Sequence, residues 1–405
     1  MVLRLRSRLL LILVSVLVLA ACASAPPAPP PKVDNLWRDE LFGAKPREVN
    51  VEDLFAVSDE MRRYVRQDMA DLIRRRGPVH GLLDALYDKS KLKLEYDATQ
   101  TRTASGTFAA RQGNCLSLVI MTGALARELG VEVHYQQVVT DTEWRRQNDL
   151  LVTAGHVNLR LNKALPGESS RILGRNSSAL IVDFLPGAEI GRQFVTDIDE
   201  RTVAAMFMNN RSAEALARGE LNSAYWWARE AIAQDARFTP SYNTLAVVYH
   251  RSGLTLEAIR LLDQALLGSP QDAVALANQA GFLRGVGRQA DAERIETRLK
   301  EIEPNPPYFY FNRGLAAMQA ANYQEAREHF AKDLARQPYN PDFLFGMAAS
   351  YLGEGDLLPA QEYLIKAREY GATQASRALY SAKLEKIEQR LKQLRCRRLS
   401  CDQSG

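Results

Sequence analysis

Residues 246–270 read AVVYHRSGLTLEAIRLLDQALLGSP and carry the pattern that decides the fold of the second half of the chain. The alanine at the centre of this stretch recurs every 34 residues, at Ala224, Ala258, Ala292, Ala326 and Ala360. Twelve residues before each of them stands a small residue: Ser212, Ala246, Ala280, Gly314 and Ala348. Twelve residues after three of them stands a proline: Pro270, Pro304 and Pro338. Small residues let two antiparallel helices cross closely, and proline ends a helix, so the period predicts stacked helix pairs.

These positions resemble the tetratricopeptide repeat (TPR), and the resemblance covers residues 205–372 with about five repeats. Residues 376–394 predict a further helix with Leu379, Leu384, Ile387 and Leu391 on one side. Residues 373–405 are therefore interpreted as a capping helix and a Cys-containing tail. The resemblance implies an all-α solenoid whose concave surface binds a protein partner. A rigid spacer, or a brace packed on the first domain, is the alternative.

The segment 36–200 is mixed in character. Helices are expected over residues 59–76 and 79–87, and a helical pattern begins at Cys115 and stops at Gly130. Cys115 is therefore placed at a helix N-terminus. Free backbone N–H groups and the helix dipole there stabilise a thiolate and can hold an oxyanion.

Three strands are expected after this helix, over residues 131–139, 152–161 and 179–184. His156 lies on the polar face of the second strand. Asp183 lies inside the apolar run ALIVDF of the third. A carboxylate is costly to bury without a partner, and an imidazole would satisfy it.

The order of helix with Cys115, strand with His156 and strand with Asp183 resembles the transglutaminase-like domain of the papain-like superfamily. The resemblance covers roughly residues 94–186, on TASGTFAARQGNCLSLVIMTGALARELGVEV, GHVNLRL and LIVDFLP. It implies an α+β domain in which Cys115 is the nucleophile, His156 the general base and acid, and Asp183 the residue that orients the histidine. No cofactor is implied. Asn158 stands where family members often carry an aromatic residue.

Other polar residues are candidates for supporting roles beside Cys115, His156 and Asp183. Gln112 and Asn114 are nearby candidates for a second oxyanion donor. His134 is interpreted as structural, and no pair among the remaining histidines has the spacing of a zinc protease, so no metal site is expected. Taken alone, Cys115 is also compatible with a buried structural thiol.

The N-terminal residues have the pattern of an export signal. Arg4, Arg6 and Arg8 precede an apolar run that is too short to span a bilayer, which predicts a secretory signal over residues 1–21. Residues 19–22 (LAAC) resemble the bacterial lipobox, which implies lipid attachment to Cys22 and membrane association through that lipid. Residues 22–35 form a Pro-rich tether. Because Ala23 replaces the aspartate that favours inner-membrane retention, the resemblance implies an outer-membrane lipoprotein facing the periplasm.

Charge and cysteine content narrow the function classes. The chain has 52 basic and 48 acidic residues, and loss of the three signal arginines leaves 49 against 48. Because the chain without its signal is nearly neutral, it would attract nucleic acid only weakly. A disulfide between Cys396 and Cys401 is possible in an oxidising compartment, and the spacing does not decide it.

Two functions are consistent with these patterns. The first is a transglutaminase-like enzyme acting on peptide or protein amides, with hydrolysis favoured over crosslinking because water is abundant and no amine site is visible. The alternative is a non-catalytic envelope adaptor or scaffold in which both domains bind partners.

Overall fold

The computed structural model describes residues 35, 37–87, 92, 94–97, 99–139, 144–147, 150–153, 156–162, 179–184, 194–305, 308–371 and 374–401. Of residues 139, 144–147, 150–153, 194, 374 and 395–401 it describes the backbone alone. The expected signal, Cys22, the tether up to residue 34 and the side chains of Cys396 and Cys401 lie outside this description. Among the described helices, none is both long enough and apolar enough to cross a membrane.

The first half begins with two helices. Helix α1 (Asp59–Arg63) is capped by Ser58, whose hydroxyl accepts the N–H of Met61 at 3.2 Å. A π-helical turn at Tyr64–Asp68 leads into α2 (Ala70–Tyr87). Gly77, with φ of 77°, divides α2 by a kink immediately before a proline. The two helices expected over residues 59–76 and 79–87 are confirmed, with the break at this glycine.

A short helix, α3 (Ala104–Ala110), lies between strands β1 (Glu95–Tyr96) and β2 (Gln112–Gly113), which pair in parallel. Helix α4 (Cys115–Glu128) follows directly. All its residues from 116 to 126 are buried. A Cβ at Gly123 would lie 2.3 Å from the Tyr135 hydroxyl oxygen, so only glycine lets α4 pack so closely on the sheet. Cys115 is the first residue of α4, as the sequence predicted.

The sheet beside α4 has four antiparallel strands in the order β7-β6-β3-β8. Their bounds are β3 (Glu132–Val139), β6 (His156–Asn162), β7 (Leu180–Val182) and β8 (Phe194–Ile198). Two more strands, β4 (Trp144–Gln147) and β5 (Leu150–Thr153), follow β3 and precede β6 in the sequence. They form a separate antiparallel pair. The strand expected over residues 152–161 is wrong at its start. Residues 152 and 153 pair with β4 instead of continuing the ladder of β6, which begins at His156.

The second half is an array of helix pairs. Consecutive helices pack as α5 with α6, α7 with α8, and so on to α14, with α15 last. Their bounds are α5 (Glu200–Ala217), α6 (Leu221–Gln234), α7 (Pro240–Arg251), α8 (Thr255–Gly268), α9 (Ala273–Gly285), α10 (Gln289–Ile302), α11 (Phe309–Gln319), α12 (Tyr323–Arg336), α13 (Pro341–Glu354), α14 (Leu357–Glu369) and α15 (Gln374–Cys401). The five alanines of the 34-residue period are all fully buried. The predicted helix-pair period is confirmed.

Three residues differ in chemical type from the residues 34 positions away in the other repeats, and the structure gives a physical reason for each. Ser212 stands at a helix crossing and donates its hydroxyl to the carbonyl of Ala224 at 2.7 Å, so its polar atom is satisfied. Ala321 adopts the left-handed conformation that glycine adopts in the corresponding turns of the other repeats, with φ of 58°. Asp333 is buried, and its Oδ2 accepts the N–H of Phe311 at 2.7 Å at the start of α11.

The last helix packs on the array differently from the prediction. Tyr380, Leu384 and Ile387 are buried against the fifth repeat, whereas Leu379 is 50% exposed. Positions 380, 384, 387 and 391 keep the spacing of one helix face, and position 379 falls beside it.

Residues 37–43, here called the strap, lie against α6. The Phe42 ring stacks on Tyr225 with centroids 4.0 Å apart. Trp226 Nε1 donates to the Gly43 carbonyl at 2.7 Å, and Arg229 pairs with Asp39 at 2.8 Å. One hydrophobic core extends from the strap through the sheet domain into the third repeat.

The far end of the array also contacts the first half. Arg377 of α15 lies 3.3 Å from the buried carboxylate of Asp97 and donates to the Thr99 hydroxyl at 3.1 Å. Tyr370 meets the edge of Tyr96 at 6.4 Å. The first half therefore touches both the first repeat and the last helix of the array.

Candidate functional site

The three residues singled out from the sequence come together in space. His156 Nε2 lies 2.9 Å from each carboxylate oxygen of Asp183, and both side chains are buried. The side chain of Cys115 lies close enough to the same imidazole to contribute to the raised pKa of His156. With Nε2 engaged by the carboxylate, Nδ1 is the ring nitrogen that can exchange a proton with the sulfur. Cys115 is partly exposed.

The charge state of the imidazole follows from its partners. Burial disfavours the imidazolium, but the interactions with Asp183 and Cys115 outweigh it and raise the pKa of His156 to about 10. The ring is therefore cationic at neutral pH. A cationic imidazole beside the sulfur is the arrangement in which a cysteine acts as a nucleophile.

The start of α4 is held by a hydrogen-bond network. Asn114 Oδ1 accepts the N–H of Ser117 at 2.9 Å and its hydroxyl at 2.8 Å, while Asn114 Nδ2 donates to Thr101 Oγ1 at 2.8 Å. Both ends of the Asn114 amide are thus occupied. One N–H of this amide is engaged by Thr101, and the role of Asn114 as an oxyanion donor stays a prediction. Gln112 lies beside Cys115 on β2 and is half-buried.

Two contacts at the site were missed by sequence reasoning. Glu214 of α5 accepts the N–H of Thr101 at 2.6 Å and pairs with Arg211 at 2.9 Å, and burial raises the pKa of Glu214. Asn158 Nδ2 lies 3.5 Å from Asp183 Oδ2, and the residue is 2% exposed. Asn158 was visible as a polar residue on the histidine strand. Glu214 gave no signal, because it belongs to the repeat array.

The other histidine of the sheet has surface partners. His134 Nε2 lies 3.1 Å from Glu132 and 3.0 Å from Asn162 Nδ2, which agrees with a structural role. Within the described ranges, no group of three or more His, Cys, Asp or Glu side chains is placed to hold a metal ion.

The first helices of the repeats differ from one another in how deeply they are buried. Helix α7 buries every residue from 241 to 249, including polar ones, and strand β5 lies against α7 and α9. Helix α11, at the corresponding place two repeats later, buries only Gly314 and Ala317. Val247 is fully buried, whereas its equivalent Leu315 is 40% exposed. The array therefore has a covered part and an open part.

Comparison with known proteins bears on this half of the chain. No family model matches. A curated relative, the type IV pilus assembly protein PilF of Pseudomonas aeruginosa, is 26% identical over 174 residues, which is 42% of this chain and 69% of the relative. The second half of the chain is a TPR-like solenoid of helix pairs.

Solved TPR structures are similar over nearly half of the chain. The TPR protein YrrB, described as having an unusual peptide-binding site, is 20% identical, with 44% of this chain and 92% of that one covered and a TM-score of 0.24. The P. aeruginosa PilF structure is 24% identical, with 47% and 87% covered and a TM-score of 0.28. A thermophilic TPR protein of Thermus thermophilus is 18% identical, with 45% and 99% covered and a TM-score of 0.31. The TPR assignment itself rests on the helix pairs and their buried alanines.

Proposed function

We propose that this TPR protein is an adaptor of the cell envelope that binds a protein partner through the open part of its array. The exposure of α11 carries the proposal, because Leu315 and Asn312 face solvent where the equivalent residues of α7 are buried. An apolar side chain flanked by polar groups on a concave helical surface is suited to a peptide segment. The relative PilF, a pilus assembly protein, supports a role in protein assembly.

A photoreactive residue tests this function. Benzoylphenylalanine placed at Leu315 is expected to give one discrete crosslinked partner in living cells, and Asn312→Arg is expected to abolish that adduct. Leu267 on α8 is 68% exposed and serves as the control position. The same adducts from both positions, or no adduct from Leu315, would contradict partner binding at α11.

The lipid anchor at Cys22 is part of this proposal. Its support is the lipobox-like LAAC at residues 19–22 and the Pro-rich tether that follows. Several acyl chains would hold the protein firmly, since each buried methylene contributes about 0.8 kcal/mol. Cells fed labelled palmitate should label the parent chain and leave Cys22→Ser unlabelled. Equal labelling of the two would contradict the anchor.

The contact of Cys115 with His156 and of His156 with Asp183 favours a second function, acyl transfer from peptide or protein amides. In this proposal the Cys115 sulfur attacks the amide carbonyl carbon. The C–N bond then breaks as His156 gives a proton to the leaving amine, and a thioester remains. Water hydrolyses the thioester to a carboxylate and restores the thiol. The α4 N-terminus offers backbone N–H groups to the oxyanion, and the papain-like fold of this domain belongs to the same proposal.

Alkylation kinetics test the thiol function. At pH 6 an ordinary thiol is almost fully protonated and reacts slowly with iodoacetamide. Cys115 is expected to react at least about tenfold faster in the parent chain than in His156→Ala, as measured by mass spectrometry of the peptide that contains it. Cys115→Ser identifies the modified site. Equal rates in the two chains would contradict activation by His156 and would leave the adaptor function standing.

A further inference from the structure

The covered part of the TPR groove contains a strand of the protein itself. Strand β5 lies against α7 and α9, the first helices of the second and third repeats. In the described sheets β5 pairs only with β4, and neither strand joins the four-stranded sheet. A two-stranded hairpin is marginally stable on its own in water. The order of β5 therefore depends on the groove, and its departure would break no ladder of the main sheet.

The two helices that β5 lies against carry buried polar side chains. Asn243 of α7 and Asn278 of α9 are buried, and Asn278 Nδ2 donates to Asn243 Oδ1 at 2.9 Å. Thr244 and Gln279 beside them are buried as well, and Gln279 Nε2 donates to Asp263 at 2.6 Å. Buried amides are costly unless they are hydrogen-bonded. Side chains of this kind suit the backbone N–H and C=O groups of an extended segment.

We propose that β5 is an intramolecular ligand of the TPR groove and that an extended segment of the partner displaces it. This inference rests on the proposed partner binding and adds its regulation. A tethered segment acts at a millimolar effective concentration, so the resting chain holds the groove closed against weak competitors. Because His156 opens β6 only three residues after Thr153, displacement of β5 also changes the restraint on the imidazole.

Replacing the strand tests the proposal. The variant carries four substitutions in the full chain: Leu150→Gly, Leu151→Ser, Val152→Gly and Thr153→Ser. They remove the apolar and β-branched residues of β5, and the variant is called the replaced chain. The probe is a fluorescein-labelled peptide WRRQNDLLVT, which copies residues 144–153. Fluorescence anisotropy is expected to show binding to the replaced chain at least about tenfold tighter than to the parent. Equal affinity for the two chains, or no binding to the replaced chain, would overturn the proposal.

Two matched substitutions locate the binding. Added to the replaced chain, Asn243→Ala in the covered groove is expected to weaken the peptide several-fold, and Asn312→Ala, near the corresponding position on α11, is expected to leave it unchanged. Equal effects of the two substitutions would also overturn the proposal. If the replaced chain does not fold, hydrogen exchange of Asn243→Ala decides: the amides of β5 should exchange faster, and those of β3 should not. Unchanged exchange of β5 counts against the proposal.

Failure of the adaptor function is distinguishable from failure of this inference. The crosslink at Leu315 reports on the partner, whereas the peptide reports on the covered groove alone. A missing crosslink with intact peptide binding removes the partner and retains β5 as a displaceable ligand.

Discussion

Helices α7 and α11 hold the same place in repeats two apart, yet one is core and the other is surface. Val247 is fully buried and its equivalent Leu315 is 40% exposed. The difference does not arise in the repeats, whose crossing alanines are fully buried in both cases. It arises because the sheet domain and β5 cover the first three repeats. A repeat array can thus supply part of a domain core at one end and a free binding face farther along.

The largest expected effect of this difference is on the rates of amide hydrogen exchange. Amides in the middle of α7 should exchange at least about a hundredfold more slowly than those in the middle of α11, because local opening of α7 must expose buried surface on all sides. Mass spectrometry of peptides from the two helices measures the ratio. Equal protection would mean that the cover over α7 opens as easily as the free face of α11.

Two glycines sharpen the comparison within the array. Gly314→Ala on α11 should destabilise the protein by about 1–3 kcal/mol, since the new Cβ would lie 2.4 Å from the Phe330 ring. The Phe330 ring is fully buried, so it has little room to move away from the new Cβ.

The matched variant is Gly281→Ala on α9, where a Cβ meets nothing within 4 Å. It should stabilise the helix by about 0.5–1 kcal/mol through the better propensity of alanine. Urea unfolding of both variants gives the two signs, and a shift of the same sign in both would refute the packing argument.

The charge on His156, in the sheet domain, makes the next prediction depend on pH. The pKa of His156 is raised from 6.5 to about 10, so the stabilisation from its pairing is complete below pH 6.5 and is lost as the pH rises through about 10. The ratio of the unfolding constant of the parent to that of His156→Gln should therefore rise by at least about tenfold between pH 6 and pH 10.5. Urea unfolding at the two pH values measures it. A ratio that does not change would contradict the charged imidazole.

The contact at the far end should have the smallest effect. Arg377→Ala removes one of the two arginines that face the buried Asp97, and Arg102 remains at 3.1 Å. These partners and Thr99 outweigh burial and lower the pKa of Asp97. The loss should be about 1 kcal/mol in urea unfolding. Arg390→Ala, at an exposed arginine farther along α15, should be neutral, and equal losses would assign the effect to the helix.

The sequence predicted what is decided locally. The crossing alanines recur because each repeat meets its neighbours in the same way, and Cys115, His156 and Asp183 were found because each lies on an element with a clear pattern. Contacts between distant segments left no such mark. Arg377 and Thr99 are 278 positions apart, and neither stands out among its neighbours. The strand β5 was merged with β6 because both segments are rich in apolar residues, although the apolar alternation changes phase between Val152 and Val157.

The strap has a mechanical consequence. A pulling force on the N-terminal tether enters the folded body at Phe42, whose ring is held against Tyr225, and at Asp39, which is paired with Arg229. The load passes first into α6, against which the strap packs. The helix that begins with Cys115 lies more than seventy positions farther along the chain. With the lipid anchor proposed at Cys22, tension from the membrane would therefore load the contacts of the strap with the first repeat before the thiol site.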